Sequence, residues 1–182
     1  MVVKSSQDRQ VAFYIISWLL GGLFTVLKGV WIGSGAAQFL DVNFLVILSA
    51  YLFLVYGSTA SCGFAVGQGV LIDIFSGGLN GLFTAVYFGV FVAIYVTSMF
   101  FNLQDVRSRI IIVSFSVFIK NIFIILMLML FSQHVIFSTA YLLVSGISVV
   151  ISGLIAPLVF KLCDQLRSIL QPEDRYSSSE AL

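Results

Sequence analysis

The sequence predicts an all-α membrane protein, a bundle of six transmembrane helices, and three observations carry that expectation. Of 182 residues, 60% are hydrophobic and 9% charged, with a mean hydropathy of +1.10, too little polar surface for a domain bathed in water. The apolar residues fall into six runs separated by short polar or glycine-rich links. The nine Lys and Arg residues avoid every second link, as a chain crossing a bilayer repeatedly requires.

The runs follow in order. Residues 1–10 are polar and are read as a cytoplasmic N-terminus that leads into a retained helix, without a small-residue cleavage site. The first run, Val11 to Ile32, has 22 residues, enough for a hydrocarbon core of about 30 Å at about 1.5 Å per residue. Gly22, Thr25, Gly29 and Gly33 share one of its faces, where a neighbouring backbone can approach. The second run, Phe39 to Tyr56, is interrupted early by Asp41 and Asn43, which the interfacial zone accommodates. The third, Ala60 to Phe75, has 16 residues and is short for a span, either a thin crossing helix or a re-entrant one. Leu82 to Phe101 and Ile110 to Phe131 are ordinary spans of 20 and 22 residues.

The sixth run, Val135 to Cys163, places Ser145, Ser148, Ser152 and Ala156 on one packing face, and Pro157 removes a hydrogen bond to Gly153. Residues 11–164 thus form one six-helix domain, and 165–182 a flexible cytoplasmic tail containing Pro172 and a serine triplet. With both termini in the cytoplasm, Lys4, Arg9, Arg107, Arg109, Lys161, Arg167 and Arg175 lie inside, and no basic residue falls in an outer loop. Cys62 and Cys163 are too few for a disulfide scaffold and are read as free thiols.

Lys28 and Lys120 are the two basic residues within spans. An ionisable side chain at such depth costs about 2.5–3.5 kcal/mol unless it faces protein or water. Counting outward along the helices puts Lys28, Asp41, Asn43 and Asp73 near the outer face, where one lysine and two aspartates can neutralise each other. Lys28 can equally snorkel to the head groups, and Asp73 can be hydrated at a short helix's end. Lys120 lies mid-span, with Gln68 as its partner in depth and Asp73 about 7.5 Å further along the same helix. A structural polar cluster is the simplest reading of these groups.

Asp73 also centres the most distinctive stretch, Gly63 to Gly89. A glycine-spaced apolar helix with Gly63 and Gly67 leads to an acidic corner, LIDIFSGG, ending in Gly77 and Gly78, and a second apolar helix follows. With Asp41 before it and Ala156-Pro157-Leu158 after it, this pattern resembles the MreD family of the bacterial rod-shape, or elongasome, system, from roughly Phe39 to Leu166. The chain departs from the family in carrying Leu79 and Asn80 where a proline often follows the Ser-Gly pair. The resemblance implies a non-enzymatic scaffold in the bacterial inner membrane that supports cell shape. It would bind an MreC-like bitopic protein and couple the MreB cytoskeleton to peptidoglycan synthases. The six-helix build would resemble the substrate-binding component of energy-coupling-factor transporters.

That likeness leaves an alternative, a solute-binding membrane subunit of such a transporter, since fold alone does not separate the two. Those subunits usually carry Ala-x-x-x-Ala in helix one, where this chain offers Gly22, Thr25 and Gly29. No span has a polar stripe long enough to line a pore. Nothing in the sequence calls for a cofactor. The sole histidine, His134, has no nearby Cys or carboxylate for a metal site, and Gly67-Gln68-Gly69 lacks the strand and Lys-Ser/Thr of a phosphate loop. A net charge of +1 gives no reason to expect nucleic acid, and the lipid bilayer is the one partner that composition requires.

Overall fold

A computed structural model describes residues 2–31, 43–76, 81–101, 105–131 and 139–170. Every regular element among them is an α-helix: α1 (Val2–Trp31), α2 (Phe44–Tyr56), α3 (Ser58–Ser76), α4 (Leu82–Phe100), α5 (Val106–Phe131) and α6 (Thr139–Leu170). Four contain stretches long and apolar enough to cross a membrane, namely Ser58–Phe75, Leu82–Phe100, Val106–Met127 and Leu143–Ile169. The apolar parts of α1 and α2, Val11–Leu27 and Phe44–Tyr56, are shorter.

The helices are arranged around α2. It touches all five others, which follow one another around it in the order α1, α3, α4, α5, α6, with α1 meeting α6 to close the ring. The eight consecutive residues from Leu45 to Leu52 are buried. A helix that is apolar on every side suits either lipid or a protein interior, and here the five surrounding helices take the place of lipid. At 13 residues it is about 20 Å long, two thirds of a hydrocarbon core of about 30 Å.

The connection from α2 to α3 is a single residue. Gly57 has φ +83° and its N–H returns to the Phe53 carbonyl, a left-handed conformation that side chains with a Cβ resist. The hairpin is locked further by Ser61, whose Oγ donates to the Ser49 carbonyl at 2.9 Å. At this end of the bundle an aromatic layer joins α1, α2 and α6: Phe13 lies 6.0 Å from Tyr51, and Tyr51 5.6 Å from Phe160. Arg109 stands over the Phe160 ring at 5.3 Å, and the Tyr51 hydroxyl donates to Asp164 at 2.8 Å.

Several boundaries differ from the sequence expectations. α1 runs back through the polar N-terminal residues, whose Lys, Gln and Arg favour helix without needing an apolar face. α3 has 19 residues, about 28 Å, so it is long enough to span rather than thin. α6 continues to Leu170, which makes 165–170 helical instead of part of a flexible tail; its 32 residues run on through Pro157. The second helix begins at Phe44 rather than Phe39; residues 32–42, with Asp41, lie outside the described residues.

Close helix contact occurs at glycines, though not all those expected. A Cβ added at Gly67 would stand 1.9 Å from the Trp18 ring of α1. At Gly63 it would meet only the Tyr14 hydroxyl, at 3.5 Å, and at Gly22 nothing within 4 Å. The approach on α1 falls one residue earlier, at Gly21, which faces Phe64 and Gln68. Gly77 and Gly78, and the surroundings of Gly29, lie outside the described residues. Gly67→Leu is accordingly expected to destabilise the detergent-purified protein by about 1–3 kcal/mol through overpacking. Gly89→Leu should cost less, since a Cβ there meets the Phe123 ring at 3.3 Å. Equal unfolding temperatures for parent and Gly67→Leu would remove the close-contact argument.

Candidate functional site

Two polar assemblies lie within the helices. The first surrounds the N-terminus of α2. Asn43 precedes the helix, and its carbonyl accepts the N–H groups of Val46 and Ile47 at 3.0 and 3.1 Å. Its side chain makes no cap within α2 and turns outward instead. The Asn43 amide nitrogen and backbone N–H approach Ser152 Oγ of α6 at 3.4 and 3.3 Å. The ammonium of Lys120 on α5 donates to Asn43 Oδ1.

All three side chains are buried, Lys120 and Asn43 at 5% exposure and Ser152 at 0%. The assembly therefore ties α2, α5 and α6 together through one amide, with a cation held inside protein rather than lipid. Inside a bilayer, apolar contact between helices gains nothing over contact with acyl chains, so polar links and close packing hold a bundle together. Ser148, one turn from Ser152, is also buried, and its Oγ donates to the Ser145 carbonyl. Ser148, Ser152 and Ala156 form the inward face that their spacing predicts.

The second assembly sits where α3 meets α4. Asp73 accepts three hydrogen bonds from the first turn of α4: Phe83 N–H at 2.9 Å, Thr84 N–H at 2.9 Å and Thr84 Oγ1–H at 2.6 Å. The N-cap of α4 is Gly81, in a left-handed conformation and with no side chain to satisfy those amides. A carboxylate from another helix takes that role and meets the positive end of the α4 dipole. Gly69, four residues before Asp73 on the same face, admits the approach. A Cβ there would lie 2.7 Å from Thr84 Cα and 2.9 Å from the Phe83 carbonyl oxygen.

The six predicted polar residues are thus divided between different places. Asn43 and Lys120 come together, which depth counting did not anticipate because it offered Lys120 only Gln68 or Asp73 on α3. Gln68 is fully buried but donates to the Trp18 carbonyl of α1 at 3.2 Å, and its Oε1 has no hydrogen-bond partner. The Lys120–Gln68 pairing is therefore not formed. Asp73 stands at the α3–α4 corner; Asp41 and the Lys28 side chain lie outside the described residues. Two residues that carry these assemblies were missed, Thr84 and Gly69. The available signal was Gly69-x-x-x-Asp73 followed by a threonine in the next helix's first turn.

Among the described residues no group of three or more His, Cys, Asp or Glu is placed to hold a metal ion. Cys62 and Cys163 are free and half-buried. A scan against family models and searches of curated proteins and solved structures find no match to the chain.

Proposed function

We propose that the chain is a non-enzymatic scaffold of the bacterial inner membrane, of the MreD type, that crosses the bilayer six times with both termini in the cytoplasm. In this role it binds an MreC-like bitopic protein and helps couple the MreB cytoskeleton to peptidoglycan synthesis. The observation that carries the reading is the use made of the intramembrane polar groups. Asn43, Lys120 and Ser152 bind α2, α5 and α6 to one another, and Asp73 binds α3 to α4. Polar side chains directed into interhelical links support a rigid body that presents its outer surface to other proteins.

The test is affinity purification of the tagged full-length protein from native bacterial membranes, with identification of what accompanies it. A bitopic partner together with peptidoglycan synthases is the expected result. An ABC-type ATPase module in their place would overturn the scaffold reading in favour of a transporter's solute-binding subunit.

A further inference from the structure

At the end of the bundle where α5 begins, the contact between Arg109 and Phe160 fixes α5 against α6. Two other cations flank that contact. Arg107 is two residues before Arg109 and Lys161 one residue after Phe160, and both are exposed. Each stands directly below an exposed apolar residue on its own helix: Ile111 (45% exposed) four residues after Arg107, and Leu158 (62%) three residues before Lys161. Between them the helices are in close contact, since a Cβ at Gly153 would stand 2.0 Å from Ser114 Oγ. At this end of the two contacting helices, exposed cations and exposed apolar side chains thus occur together on both α5 and α6.

We propose that this face of α5 and α6 binds an anionic phospholipid, its phosphate held by Arg107 and Lys161 and its acyl chains against the exposed apolar side chains, Ile111 and Leu158 among them. The charge pattern favours this occupant over a zwitterionic lipid, whose own ammonium would be repelled. Two acidic residues lie nearby. Asp164 turns toward α2, where its Oδ1 accepts the Tyr51 hydroxyl, and Asp105 is exposed just before α5. Against these stand Arg107, Arg109, Lys161 and Arg167, so cations are in excess among the described residues at this end. A basic side chain near an anionic membrane surface contributes about fivefold in affinity, and two acting on one phosphate contribute on the order of 25-fold.

The experiment compares phosphatidylglycerol with phosphatidylcholine bound to the purified full-length protein by native mass spectrometry. Parent protein should retain phosphatidylglycerol preferentially. Arg107→Gln and Lys161→Gln should each reduce that preference about fivefold, and the double variant should abolish it. Arg175→Gln, which removes the same charge far along the sequence, should leave it intact. No preference in the parent, an undiminished preference in the double variant, or an equal loss in Arg175→Gln would each overturn the assignment. A phosphatidylglycerol with a photoreactive acyl chain gives a second measurement that needs no variant. Crosslinks should concentrate on Ile111, Leu158 and their neighbours, and crosslinks confined to α1, α3 or α4 would also overturn it.

Discussion

Asn43→Leu is expected to destabilise the purified protein by about 1.5–3 kcal/mol, the range for losing a hydrogen bond to a charged group. Leucine fills a similar volume but removes the oxygen that accepts the Lys120 ammonium and the amide that reaches Ser152. Both Asn43 and Lys120 are 5% exposed, so water does not readily replace what is lost. Lys120→Met should cost less, because it removes the charge whose burial is expensive while keeping an unbranched stem of similar length. The double variant should then be less damaged than the sum of the two, by a coupling of about 0.5–3 kcal/mol. Thermal unfolding of the four proteins in one detergent measures this directly. Strict additivity would mean that the amide–ammonium contact does not hold α2 to α5.

Asp73→Ala should cost roughly 2–4 kcal/mol, since two backbone amides and a hydroxyl at the start of α4 lose a charged acceptor together. The series discriminates between charge and shape. Asp73→Asn retains one acceptor oxygen and should fall between parent and Asp73→Ala, while Thr84→Val removes only the hydroxyl bond and should cost about 1 kcal/mol. Hydrogen exchange adds a local readout, with amides near Phe83 and Thr84 losing protection before those of α5. If exchange there matched the parent in Asp73→Ala, the carboxylate would not be anchoring α4.

The helices were legible wherever apolar residues were sustained. Leu82 to Phe101 and Ile110 to Phe131 match α4 and α5 to within a few residues, since long uninterrupted runs leave little choice of structure. Ends that continue into polar sequence were not legible. The helical stretch from Asp164 to Leu170 shows no apolar run and is held by propensity and continuity with the span. The centre of the fold was hidden for a different reason. Attention falls on Asp73 because a carboxylate in an apolar run is conspicuous, whereas Leu45 to Leu52 reads like any other span, and only packing reveals that it is enclosed on every side. Depth counting placed groups along the membrane normal but not around it. It therefore looked for the partner of Lys120 on α3, at Gln68 or Asp73, when the amide that meets it belongs to the start of α2.

The central position of α2 also bears on how the molecule is made. The second helix synthesised is the innermost, and four of the helices that wall it in, α3, α4, α5 and α6, follow it in the chain. Helices emerge from the ribosome in order, so Asn43 enters the membrane before either Lys120 or Ser152 exists. Until then α2 is held by α1 before it and, through its one-residue hinge, by α3 after it. A growing chain halted before α6 would have its innermost helix open on one flank and its amide without Ser152. Completion of the C-terminal helix, rather than insertion of any earlier one, is then the event that seals the interior.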